Sequence, residues 1–140
     1  MALTVGPNRM EGGREARTRR PSRLPWALAW SGLMIAASSI PRLPTAPPPL
    51  LHTDKVLHLI EYGVFSWLWG SVLRGSGREF IRRRAWAIVI LGGIAWGALD
   101  EVYQGTVGRS RDPLDLLADA IAIVVVQAVQ QRRARASKAE

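Results

Sequence analysis

Apolar residues fall into four long runs, at positions 26–40, 56–73, 85–99 and 114–129. The first, WALAWSGLMIAASSI, carries no charge and lies between Pro25 and Pro41; the third is uncharged and ends at Asp100. Only His58 and Glu61 interrupt the second, and Asp115 and Asp119 sit near the start of the fourth. A helix of a water-soluble bundle keeps a polar stripe with a period near 3.6 residues. The only polar side chains of the first run that could make one are Ser31, Ser38 and Ser39, and the third run has none. Helices apolar on every side belong in lipid or deep inside a much larger protein, and a chain of 140 residues has no such interior. Each run is shorter than the roughly 20 residues a spanning helix prefers. Together they predict an all-α, four-transmembrane-helix bundle.

Composition narrows the partners. There is no cysteine, which excludes a disulfide scaffold, cysteine-based zinc sites and thiol chemistry. A formal charge of +8 with 48% hydrophobic residues leaves two classes, a basic nucleic-acid binder and a small membrane protein. The positions of the charges separate them. If the four runs span, the N-terminal arm, the second loop and the C-terminal tail share one side. That side holds 15 of the 19 Lys and Arg residues, and the other holds Arg42, Lys55, Arg109 and Arg111. Such a split over short loops is the positive-inside pattern and predicts both termini in the cytoplasm, a multi-pass inner-membrane protein and no nucleic-acid partner. Trp26, Trp67, Trp69 and Trp86 fall towards the cytoplasmic ends, as an aromatic belt would. The expected organisation is a disordered basic arm over 1–24, the membrane domain over 25–131 and a basic tail over 132–140. Arginines ahead of an apolar run and small residues also allow the first helix to be read as a signal peptide.

With this topology, seven of the eleven acids, Asp54, Glu61, Asp100, Glu101, Asp112, Asp115 and Asp119, gather with both histidines at the outer face. Asp54, His58 and Glu61 stand at i, i+4 and i+7, with Lys55, His58 and Tyr62 on the adjoining stripe of the same helix. Asp100, Glu101 and Gln104 end the third helix; Asp112, Asp115 and Asp119 step by three and four down the fourth. Glu61 and Asp119 lie roughly 8 to 10 Å below their helix starts, too deep to cap anything. Ionisable groups at that depth face a cavity or one another and mark function. Asp112 before Pro113 also has the form of an N-cap, and Asp54 is a second capping candidate. Arg109 is either the charge partner of these carboxylates or the holder of a ligand's anionic group. His58 among carboxylates has the elements of a mixed N/O metal site, but a two-histidine motif is lacking, and neither metal nor cofactor is expected. No nucleophile elbow, phosphate loop or dinucleotide fingerprint occurs.

Asp54-Lys55-x-x-His58-x-x-x-Tyr62, Asp100-Glu101-x-x-Gln104, the Gly108-Arg109 pair, and Asp115 with Asp119 together resemble the VanZ-like family of small bacterial membrane proteins over about residues 26–130. Thr106 and Val107 stand where that family often has an aromatic residue and a proline, and Ala122 where a glycine is common. The resemblance implies a small multi-pass membrane protein and links it loosely to glycopeptide resistance of the teicoplanin type, with no established chemistry. The resulting expectation is an outward-facing polar pocket that binds or modifies a cell-envelope component, a cell-wall precursor or glycopeptide-related ligand. Glu61, His58, Asp100 and Glu101 are the catalytic candidates, and Lys55, Tyr62, Gln104, Arg109, Asp115 and Asp119 the binding candidates. Whether there is turnover stays open. The alternative is a non-enzymatic membrane protein whose polar network fixes helix packing and whose surface binds a partner.

Overall fold

The structure, a computed structural model, describes residues 22–40, 51–108, 112–137 and 139, with 51–54 described by their backbone alone. The basic arm ahead of residue 22, Arg42, Arg109, Arg111 and Lys138 lie outside the described residues. The fold is all-helical: α1 (Leu24–Ser38), α2 (Leu51–Arg74), α3 (Glu79–Thr106) and α4 (Pro113–Ala136). All four expected helices are present. Three of them, α2, α3 and α4, are long and apolar enough to cross a membrane, and the protein is a membrane protein. The apolar helix α1 is shorter, at 15 residues.

The helices outrun the apolar runs. From sequence, Arg82, Arg83 and Arg84 are expected in a loop; they lie in the first turns of α3, which extends at its other end through Asp100, Glu101 and Gln104 to 28 residues. Likewise α4 continues through Arg132, Arg133 and Arg135. Hydropathy stops at the first charge, but the backbone hydrogen-bond ladder does not, and charged ends are what a helix spanning roughly 30 Å of hydrocarbon presents to the headgroups. Glu79 and Arg83 close the first turn of α3 with an i, i+4 ion pair at 2.5 Å.

Burial runs opposite to that of a water-soluble bundle. Trp26 and Leu91 are 71% exposed and Leu99 68%, while the buried set holds as many polar as apolar residues, nine of each, among the described residues. Those polar groups need partners, because hydrocarbon supplies none. In α1, Ser31 and the C-cap Ser39 find them locally. Ser31 Oγ donates to the Ala27 carbonyl and Ser39 Oγ to that of Ile35.

Helix α2 packs against all three others, whereas α1 touches α2 and α3 but not α4. Two indole donors seat α1: Trp30 Nε1 donates to the Glu61 carbonyl at 3.0 Å, and Trp69 Nε1 to Ser31 Oγ at 3.1 Å. The apolar core gathers Met34, Tyr62, Phe65, Val89, Ala122 and Ile123, with Trp69 and Trp96 around it. Close approach of α3 to α4 depends on small residues one helical turn apart, as is common between helices in lipid. A Cβ on Gly93 would stand 2.8 Å from Ile123 Cδ1. One on Gly97 would meet Leu116 Cδ1 at 3.1 Å and Asp119 Oδ2 at 3.2 Å. Gly97→Val therefore is expected to cost about 1–3 kcal/mol, the usual range for an overpacked interior, seen as a lower unfolding midpoint in detergent. An unchanged midpoint would show that the helices are not held at this distance.

Candidate functional site

Helices α2 and α4 meet along a polar seam. Both step by three and then four residues, Lys55, His58 and Tyr62 on one and Asp112, Asp115 and Asp119 on the other. Because they run parallel, Lys55 and His58 each meet the acid at their own depth and the next one down. Lys55 Nζ donates to Asp112 Oδ2 at 2.8 Å and to Asp115 Oδ1 at 2.5 Å. One turn deeper, His58 Nδ1 lies 3.0 Å from Asp119 Oδ1 and its Nε2 lies 3.7 Å from Asp115 Oδ2. His58 is buried, as is Asp115, and Asp119 is only 1% exposed. Below them the Tyr62 ring stacks on the imidazole with centroids 6.4 Å apart. The Tyr62 hydroxyl and Asp119 Oδ2 are both buried with no hydrogen-bond partner, and the open backbone of Gly97 lies beside them, 3.2 Å and 3.4 Å from a Cβ position to Asp119 Oδ2 and Tyr62 Cε1.

Asp112 fills the capping position foreseen for it. It is the N-cap of α4, accepting from the Leu114 amide at 2.9 Å, with Pro113 and Asp115 in the first turn. Its carboxyl lies below the usual aspartate range, first because Lys55 donates to it and second because the Leu114 amide does. A depressed value stabilises the fold above the unfolded-state value, about 3.9, and that contribution disappears as the pH falls through the folded-state value. Acid unfolding of the wild type should therefore contain a component below pH ~4 that Asp112→Asn lacks. Superimposable acid limbs would contradict it. Asp54 is different: α2 starts at Leu51, so Asp54 stands inside the first turn rather than at the cap.

The remaining described candidates have bonds of their own beside this seam. Asp100 Oδ2 accepts from Ser38 Oγ at 2.9 Å and from Gln104 Nε2 at 2.7 Å, forming a clasp between α1 and α3. Tyr103 and Ser39 meet through their hydroxyls at 2.9 Å on the same seam. Glu101 Oε2 accepts from the Asp112 amide at 3.2 Å and so ties the end of α3 to the cap of α4. Glu61 is half-buried, its main-chain carbonyl taken by Trp30. The cleft beside Asp100, lined by Ile35, Trp96, Leu99 and Tyr103, has a volume of about 250 Å³ and apolar walls, below the range of pockets that enclose a drug-sized ligand. Gly108, at φ 80°, ends α3 in the left-handed region that glycine tolerates, immediately ahead of Arg109.

No family model, curated protein or solved structure matches the chain. The likeness to the VanZ-like family therefore rests on the spacing of these polar residues alone.

Deeper along the seam lie polar residues that sequence reasoning passed over. Gln127 Nε2 donates to the Ser66 carbonyl and Oγ, both at 2.9 Å, and its Oε1 accepts from an Arg74 guanidinium nitrogen at 2.8 Å. Arg74 also donates to Gln130, whose Nε2 reaches the Trp67 carbonyl at 3.0 Å. These positions fall on the same helix faces, Ser66 and Arg74 four and twelve residues beyond Tyr62, Gln127 and Gln130 eight and eleven beyond Asp119. The signal was present in the spacing, but neutral polar residues barely register in a hydropathy profile. The seam thus begins with cations and carboxylates, passes the unpartnered Tyr62 and Asp119 atoms, and ends in amides and one guanidinium.

In chemical terms, three carboxylates face one lysine and one histidine. That excess of negative charge favours a cationic group of a ligand.

Proposed function

We propose that the chain is a multi-pass inner-membrane protein of the VanZ-like type, with both termini cytoplasmic. Its outer-end polar seam, together with Arg109, would bind or modify a cell-envelope component, a cell-wall precursor or glycopeptide-related ligand. The orientation is supported by the 15-to-4 division of basic residues. The site is supported above all by Asp119. It is 1% exposed in a helix apolar enough to span, one oxygen held by His58, and its other oxygen and the Tyr62 hydroxyl without partners. A buried carboxylate costs several kcal/mol unless something compensates it. In the catalytic form of this reading, His58 or Glu61 takes a proton from the ligand; in the other form the pocket binds without turnover. Asp119→Asn, His58→Gln and Arg109→Gln are expected to insert normally, yet leave cells as sensitive to teicoplanin and cell-wall stress as a deletion. Full protection by all three variants would remove the reading.

A structural network with a partner-binding surface is the second reading, favoured by Lys55, which already bridges Asp112 and Asp115. Exchanging the charges in Lys55→Asp/Asp115→Lys separates the two. Restored function with the pair reversed indicates a structural role, and loss of function despite normal folding indicates a ligand site.

A further inference from the structure

The opposite end of the bundle holds a cavity that the seam does not explain. It measures about 730 Å³, within the range of small-molecule sites, and lies where α2 and α4 end and α3 begins. Arg74 of α2, Arg82 and Arg83 of α3 and Arg135 of α4 line it, and Glu79 is the one carboxylate among its lining residues. Arg83 holds that carboxylate at 2.5 Å. Among the described residues, no ion pair engages Arg82 or Arg135. Two neighbouring arginines are turned to other tasks, Arg84 over the Phe80 ring at 4.9 Å and Arg133 over Trp67 at 5.4 Å. Among the described residues, the cavity therefore concentrates guanidinium charge that Glu79 alone offsets.

Two features indicate what compensates it. The first turn of α3 opens onto the cavity, and its N-cap, Arg78, provides no side-chain acceptor, so the positive end of the helix dipole adds to the arginines. Trp86, half-exposed at 47%, forms part of the wall; its ring is of the kind that settles at the boundary of hydrocarbon and headgroups. This end of three membrane-length helices meets the layer where phosphates are densest, and basic pockets between helix ends suit phosphate headgroups. We propose that the cavity binds the phosphate headgroup of an anionic phospholipid, with Arg82 and Arg135 as the principal ligands. Arg74 is committed to Gln127 and Gln130 and closes the floor.

Arginines that only set orientation, or only oppose the dipoles at the ends of α2 and α4, would serve equally well as lysines. A bidentate phosphate site would not. The test uses the full-length protein in a neutral detergent, with phosphatidylglycerol, phosphatidylcholine and inorganic phosphate as probes, read by native mass spectrometry and by the shift in unfolding midpoint. Phosphatidylglycerol is expected to bind and stabilise, while the other two do not. Arg82→Gln/Arg135→Gln should weaken binding about thirtyfold, each charge near an anionic surface contributing roughly fivefold. Arg82→Lys/Arg135→Lys keeps the charge and should still lose much of the preference; it also serves if the glutamine variant fails to fold. Arg132→Gln, outside the cavity, should bind as the wild type does. Equal binding of the two lipids, full retention by the lysine variant, or a loss as large in Arg132→Gln would overturn the proposal. Inorganic phosphate binding as tightly as the lipid would assign the cavity to the free ion instead.

Discussion

His58→Leu is expected to destabilise the protein by about 3–5 kcal/mol, the range for a buried pair that loses one partner. The imidazole is the group recorded within 3.0 Å of Asp119 Oδ1, and Asp119 has no second partner on Oδ2. Without His58 the carboxylate must draw in water, bind a proton or remain charged next to Ile123 and Gly97. The double variant His58→Leu/Asp119→Leu removes both members of the pair, and well-packed apolar replacements of such pairs are often neutral or stabilising. Its unfolding midpoint in a detergent titration should return close to that of the wild type. If the destabilisation of the double variant equals the sum of those of the two single variants, the pair is not coupled. Stability and function separate in this cycle. Under the proposed function, a double variant that folds but confers no protection would locate the activity at the pair, whereas one that folds and protects would leave it a packing device.

The second large effect is expected at the other end of the same seam. Gln127 is 1% exposed and satisfies Ser66 and Arg74 together. Gln127→Leu keeps the volume but removes the donor that the Ser66 carbonyl and hydroxyl share and leaves one edge of the Arg74 guanidinium without its acceptor, at a cost of about 1–3 kcal/mol or more, since the stranded group is charged. Gln127→Glu should be milder, because its carboxylate still accepts from Arg74 while losing the donor that Ser66 used. The order wild type, Glu, Leu in unfolding midpoint checks this. A leucine variant as stable as the wild type would mean that water or lipid headgroups already reach Arg74.

Much of this was legible in the chain. Four apolar runs became four helices, Asp112 before Pro113 became an N-cap, and Lys55, His58 and Tyr62 fell on one face because residues three and four apart share a face in any helix. Which face meets which could not be read so easily. Asp100 and Gln104 look like neighbours of the other acids in sequence, yet they clasp Ser38 of α1. The partner is a serine inside an uncharged run, with nothing in its local sequence to single it out. Helix ends were missed for a related reason: hydropathy records the cost of charge in lipid, and Arg82 to Arg84 are charged residues in the first turns of α3. Gly97 counted as one more small apolar residue. Its role emerges only with Tyr62 and Asp119 on two other helices packed against it.

The parallel register of α2 and α4 has a consequence for how such a chain can change over time. Every bond across the seam joins residues 53 to 63 positions apart, from Arg74 with Gln127 at one extreme to Gln130 with Trp67 at the other. Inserting one residue into either helix turns everything beyond it by about 100°. An insertion midway along α2 would thus set Ser66 and Arg74 against lipid while leaving Lys55 and His58 in place. Substitutions can be absorbed one rung at a time, but a change of length in α2 or α4 breaks all the deeper rungs at once. Natural length variation in proteins built on this plan should be confined to the termini and to the connections between helices.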